Sequence, residues 1–208
     1  MKLIFPCDYI GITQGYKSSH KAIDMGWSTG NGGPNHKILA PYDGVVTYVK
    51  SNVRTRNTSS KTYGNYIKIN HGDGVVTLVA HLKYDSIRVK VGDKVKTGDV
   101  LGIMGNTGYS FGVHCHYEVI LNGTKVNPLK YTYYTKNQVV GKNTLNKYKP
   151  MLLESEDKKV EEPINNEPVK KDEDVKPTVD DTLFEYICNK SGMYKIYLNE
   201  GEKLIIKD

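Results

Sequence analysis

The run His114-Cys115-His116 places two imidazoles one residue apart. It lies in an apolar-rich stretch, Val113 to Leu121, that reads as a β-strand, where side chains alternate between faces. Both imidazoles then share one face, about 6–7 Å apart, with Cys115 and Tyr117 on the other. Such a pair suits a metal ion or a reacting group held between the rings; the bland alternative is two surface histidines. His20-Lys21-Ala22-Ile23-Asp24 adds an imidazole and a carboxylate, both of which bind zinc. Alone, that spacing reads equally as a loop histidine and a turn aspartate. His81 ends the alternating run Thr77, Val79, His81, which aims it at one face of a neighbouring strand; alone it could be a satisfied core histidine.

Together these residues say more. His20, Asp24 and His116 make three zinc ligands, the number a catalytic zinc site uses while leaving a position open for water. His81 and His114 remain as two imidazoles outside the ligand set, able to accept a proton and to stabilise an oxyanion.

The elements that must position them are strands. Up to about residue 130, short apolar-rich runs (Gly44–Val49, Asn65–Asn70, Val75–Leu82, Ile87–Val91, Val100–Met104, Val113–Leu121) alternate with turn signals. These signals are Asp43-Gly44, Asp73-Gly74, Gly92-Asp93, Gly98-Asp99 and Asn122-Gly123. No window sustains a helical period, so a mainly β fold is expected, an antiparallel sheet or sandwich. Residues 1–136 are expected to fold as one domain. Residues 137–181 read as a linker, disordered and acidic from Glu154 on, and 182–208 as a small β-rich unit. About 27 residues bury little surface, so that last unit is expected to need a partner or self-association.

Charge follows the same division. Up to Leu153 basic residues outnumber acidic ones 20 to 8, and from Glu154 to Asp181 the balance is 5 to 11. A basic unit tied to an acidic segment favours polyanions in general, such as nucleic acid, anionic headgroups or wall polymers. No base-stacking pattern accompanies the charge, which argues against nucleic acid. No run approaches the ~20 apolar residues that span a bilayer. The start, Met1 to Phe5, is too short for a signal-peptide core. The three widely spaced cysteines do not suggest a disulfide framework.

The chain also resembles the lysostaphin-type (LytM-like) zinc endopeptidases of peptidoglycan. The matching text runs through Phe5-Pro6, Ile12 to Tyr16, His20 to Asp24, Ile38 to Val46, Gly64 to Ile67, His71-Gly72 and Ala80 to Leu82. It continues through Val91 to Val95, Gly98 to Gly102, Gly105 to Gly108 and His114 to Glu118. The resemblance implies an antiparallel sheet crossed by a groove. It also implies a metal held by His20, Asp24 and His116, and catalysis by His81 and His114. Tyr16 looks like a tyrosine upstream of the first ligand that helps hold the oxyanion. His71 falls where many relatives carry a histidine at a strand end, and a structural role is expected for it ahead of a catalytic one; His36 lies outside the pattern, as a solvated loop residue.

Two departures stand out. Ala22 replaces a usual glycine, and Cys115 replaces an aliphatic residue, where a buried thiol acts as a small hydrophobe. The expected function is therefore zinc-dependent hydrolysis of peptide bonds in peptidoglycan. The missing signal segment suggests a bacteriophage endolysin, or a virion tail component docking other tail proteins or itself through 182–208. Two alternatives compete: an inactive wall-binding or structural virion module, and a histidine phosphocarrier of related β fold, suggested by Val91 to Gly102. A phosphocarrier has no use for Asp24 beside His116.

Overall fold

The computed structural model of the protein describes residues 1–27, 33–153, 184–188 and 192–196. It divides into two units, Met1–Asp157 and Lys158–Asp208. In chain order the first holds β1 (Leu3–Ile4), β2 (Tyr9–Gln14), β3 (Ile23–Gly26), β4 (Lys37–Leu39), β5 (Gly44–Lys50), β6 (Tyr66–Asn70) and β7 (Val75–Ala80). There follow β8 (Lys94–Val95), β9 (Val100–Ile103), β10 (His114–Leu121), β11 (Thr124–Val126), β12 (Thr132–Tyr134), β13 (Val139–Val140), the helix α1 (Lys142–Tyr148) and β14 (Met151–Leu152).

The expected mainly β, mostly antiparallel fold is what forms. The large sheet runs β13-β2-β3-β10-β7-β6-β5-β8, with β11 folded back on β10. Every pairing in it is antiparallel except β13 with β2. Two smaller sheets, β4-β9 and β1-β12-β14, complete the unit. Alternation along β10 separates two environments. Cys115, Tyr117 and Val119 point into a core shared with Phe5, Ile23, Met25, Ile67 and Val79, while His114 and His116 face the other way. Turn chemistry fixes the hairpins. Asn122 and Gly123 both take positive φ, 46° and 79°, the geometry of the tight turn that joins β10 to β11 without splaying them.

Two expectations are corrected here. Ile87–Val91 forms no strand; its backbone reaches the neighbouring β9 through Arg88 N, which donates to Leu101 O at 2.9 Å. Residues 137–153, expected to begin the linker, instead hold β13, α1 and β14. Side-chain hydrogen bonds tie this stretch down. Gln138 Nε2 donates to the carbonyls of Phe5 and Cys7, each at 2.7 Å, and Thr144 Oγ1 accepts from Ile12 N at 2.8 Å.

In the second unit, β15 (Phe184–Cys188) and β16 (Gly192–Ile196) pair antiparallel, from Phe184 opposite Ile196 to Cys188 opposite Gly192. The acidic segment and the rest of the expected C-terminal unit lie outside the described residues. No helix among the described residues is long and apolar enough to cross a membrane.

Candidate active site

β3 and β10 are antiparallel neighbours, and their register sets Asp24 directly opposite His116 and Gly26 opposite His114. His20 joins them from a tight turn closed by reciprocal backbone bonds between Lys17 and His20, at 2.9 and 3.0 Å. His116 Nδ1 lies 2.9 Å from Asp24 Oδ1, and His20 Nε2 lies 3.2 Å from Asp24 Oδ2. One ligand atom from each of the three falls within 4.8 Å of the other two.

His81 reaches the same place by a different device. Strict alternation after Thr77 and Val79, both buried, would carry it to the core side. The strand instead ends at Ala80, and His81 takes φ 63°, a conformation uncommon for a residue with a side chain. Its ring thereby lies 4.7 Å from that of His114 and 5.7 Å from that of His116. The pair Gly64 and Gly108 supports this turn. A Cβ on Gly64 would meet the Thr107 carbonyl carbon at 2.4 Å, and one on Gly108 would meet Gly64 Cα at 2.5 Å. This close crossing holds the Thr107 carbonyl where it accepts from His81 Nδ1 at 2.8 Å. His114 Nδ1 likewise donates to Gly112 O at 2.8 Å, with Ser110 Oγ 3.2 Å away. In both rings the proton is therefore assigned to Nδ1, and Nε2 is left with its lone pair.

Electrostatics follow from this packing. Burial pushes His81 down to about 4, helped by the neighbouring His114, so its ring stays neutral near pH 7. Burial would raise Asp24, but the hydrogen bond and charge of His116, with His114 and His20 beyond, hold it below the usual carboxylate range. Burial would lower His116, but its bonds to Asp24 and Glu118 outweigh that and raise it. A proton between His116 Nδ1 and Asp24 Oδ1, 2.9 Å apart, balances the carboxylate, the part a cation would take. Two imidazoles and a carboxylate, drawn together over one small space, are a donor set that zinc accepts. The residues fit the metal that the resemblance implies.

These groups sit in a cleft of about 840 Å³ walled by Lys21, Lys61, Tyr63, Tyr109 and Phe111. The profile described as "Peptidase family M23" matches residues 18–128, which takes in the three convergent residues, His81 and His114. The chain belongs to peptidase family M23. Over 111 residues this M23 chain is 41% identical to an uncharacterized metalloprotease of Buchnera aphidicola, a match covering 53% of this chain and 26% of that protein. Over 88 residues it is 44% identical to the peptidoglycan DD-endopeptidase ShyA of Vibrio cholerae, covering 42% of this chain and 18% of ShyA. It thus spans about a quarter or less of these curated relatives. Among solved structures, a putative peptidase M23 from Pseudomonas aeruginosa superimposes with a TM-score of 0.50 at 27% identity, covering 62% of this chain and 49% of that one. A zinc containing peptidase from Vibrio cholerae gives 0.50 at 26%, covering 61% and 39%.

The M23 domain brings five of the six expected site residues together: His20, Asp24 and His116 around one point, His81 and His114 beside it. Tyr16 stands apart from the cleft walls. Its hydroxyl donates to Lys125 O at 3.3 Å and its ring packs on the core. The tyrosine that does line the cleft is Tyr63, whose ring lies 5.7 Å from that of His116. His71 is buried and bonded at both nitrogens, to Asp43 O at 2.9 Å and Thr77 Oγ1 at 2.8 Å, a structural role. His36, expected to be solvated, is instead buried; it bonds Asp8 Oδ1 at 2.8 Å and stacks on Tyr9. Cys115 is fully buried on the core side beside Cys7, whose thiol is pushed up by burial. Glu118 was given no role by the sequence reading, although its place two residues past His116 puts it on the same face.

Proposed function

We propose that this M23 domain is a zinc-dependent endopeptidase that hydrolyses peptide bonds in bacterial peptidoglycan. One observation carries the reading: the convergence of His20, Asp24 and His116 beside the bare Nε2 atoms of His81 and His114. The name of the Vibrio cholerae relative, a peptidoglycan DD-endopeptidase, supports the same substrate class.

His20 Nε2, a carboxylate oxygen of Asp24 and His116 Nδ1 would hold the ion. Zinc bound there supplies a Lewis acid for the scissile carbonyl and a water acidic enough to react near neutral pH. The protein does the rest. Of His81 and His114, one accepts the attacking water's proton at Nε2 and passes it to the departing amine. The other, once it carries a second proton on Nε2, donates to the oxygen of the tetrahedral intermediate. The hydrogen bonds at Nδ1 hold both rings in place and leave the Nε2 of the base free to take the proton. Tyr16, turned away towards Lys125, is left out of this scheme.

The cleft wall adds Lys21 and Lys61, cations suited to a substrate carrying carboxylates. The hairpin within 182–208 is assigned docking or self-association. The phage and virion-tail expectation rested on the first residues of the chain; the curated relatives named above come from bacteria and lend it no support, so it forms no part of this proposal. Purified walls of known cross-bridge chemistry are digested with the zinc-loaded protein and the new termini identified by mass spectrometry. New amino termini at one peptide bond are expected. No release of fragments by a protein carrying one zinc per chain would leave only the wall-binding module.

A further inference from the structure

The floor of the cleft holds a second carboxylate that the scheme above does not use. Glu118 is almost fully buried, at 2% exposure, on the same face of β10 as His116. Its Oε1 accepts three hydrogen bonds: from His116 Nε2 at 3.1 Å, from Tyr63 Oη at 2.8 Å and from Lys125 Nζ at 2.7 Å. Lys125 Nζ also bonds Tyr63 Oη at 2.9 Å, closing a triangle around the carboxylate. The other oxygen, Oε2, is buried without a partner among the described residues. A carboxylate placed only to be solvated by its neighbours would spread its donors over both oxygens. Here all three converge on the oxygen that touches His116.

The consequence for His116 is directional. Lys125 supplies the countercharge, so Glu118 stays ionised at the bottom of the cleft without taking the imidazole's proton. An ionised carboxylate can only accept, so His116 Nε2 must carry hydrogen. Once a cation takes the place of the proton between His116 and Asp24 the imidazole is neutral, and with its one proton fixed on Nε2 the lone pair falls on Nδ1, the atom that faces Asp24. A carboxylate behind a histidine ligand also makes that ligand a stronger donor and fixes its ring plane.

We infer that Glu118, pinned by Tyr63 and Lys125, is the positioning residue that presents His116 Nδ1 to the metal, and so sets the affinity of the site. This rests on the proposed metal-binding reading. Tyr63 comes from the chain ahead of β6 and Lys125 from β11, so two separate parts of the cleft wall converge on the carboxylate behind one ligand.

The test is equilibrium zinc affinity, measured by competition with a chromophoric chelator on the full chain. Metal-free Tm is measured in parallel. Glu118→Ala is expected to raise the zinc dissociation constant by about 10–100-fold. Glu118→Gln, which keeps an acceptor but loses the charge, is expected to fall between it and wild type. Tyr63→Phe removes a support without touching His116, and is expected to weaken binding by a few fold. It stands in if the glutamate variants fail to fold. In the zinc-loaded wild type the His116 Nε2 proton should be seen by NMR, protected from exchange, and in Glu118→Ala that protection should be lost. Unchanged zinc affinity in folded Glu118→Ala and Glu118→Gln, with only the metal-free Tm lowered, would make Glu118 a structural ion-pair partner and overturn the inference. Wild-type protein that binds no zinc would overturn the metal-binding reading and this inference together.

Discussion

A chain that stops at residue 136 should lose its fold, and the size of the loss can be worked from three hydrogen bonds. That truncation removes Gln138 from the carbonyls of Phe5 and Cys7, and Thr144 from the amide of Ile12, all in the buried interior. Each buried group left without its partner costs about 1–3 kcal/mol, so the three together cost roughly 3–9. A domain's whole stability is only about 5–15 kcal/mol. Removing β13, α1 and β14 also uncovers an edge of β2 and an edge of β12. The fragment 1–153 should therefore melt cooperatively. The fragment 1–136 should melt at least ~6–12 °C lower, from ~2–4 °C per kcal/mol for a unit of this size, or not fold. Gln138→Ala in the longer fragment isolates two of the bonds; at about 1 kcal/mol each it should lower Tm by ~4–8 °C. Circular dichroism melts of the three proteins in one buffer decide it. Midpoints agreeing within ~3 °C would show that 137–153 rests on the domain without holding it.

Other outcomes follow from the site and its supports. His116→Ala should abolish stoichiometric zinc by elemental analysis, because it removes one of the three convergent donors. His81→Ala and His114→Ala should keep zinc but slow wall hydrolysis by ~100-fold or more, the loss expected of a general base or an oxyanion donor; near wild-type turnover in either would remove that histidine from the mechanism. Gly64→Ala would drive a Cβ into the Thr107 carbonyl at a backbone φ of 63°, so hydrolysis should fall by ~10-fold or more as His81 loses its anchor, and unchanged rates would show that the anchor is dispensable. Burial holds His71 below the ordinary histidine range, so the unfolded chain binds its proton more readily than the folded one. Stability from this residue is complete above the unfolded pKa of ~6.5 and falls as pH drops below it. In urea melts of metal-free protein, His71→Gln should flatten that slope, and an identical slope would refute the assignment.

What could be read from the sequence was whatever depends on period. Alternation along β10 alone separates His114 and His116 from Cys115 and Tyr117, and the turn pairs mark the hairpins. What escaped depends on single backbone angles or on polar contacts. His81 enters the cleft because one residue adopts a left-handed conformation, which no alternation rule contains. Residues 137–153 carry little apolar pattern; Gln138 and Thr144 secure them through hydrogen bonds that composition does not display. Glu118 was on the right face by counting, but its importance lies in Tyr63 and Lys125, residues brought to it from distant parts of the chain. Tyr16 was singled out by the resemblance, as a tyrosine upstream of the first ligand, and in the structure its hydroxyl donates to Lys125 O.

The pairing of Asp24 with His116 across β3 and β10 would make a bound ion a reporter of strand alignment. Side chains repeat every two residues, so sliding β10 by a single position would turn both histidines inward and expose Cys115 and Tyr117 to the cleft. A misaligned sheet would then forfeit its ligands altogether rather than bind zinc more weakly. Metal capture would thus discriminate between correctly and incorrectly zipped molecules, adding a check to the one that burial of Cys115, Tyr117 and Val119 already imposes on β10.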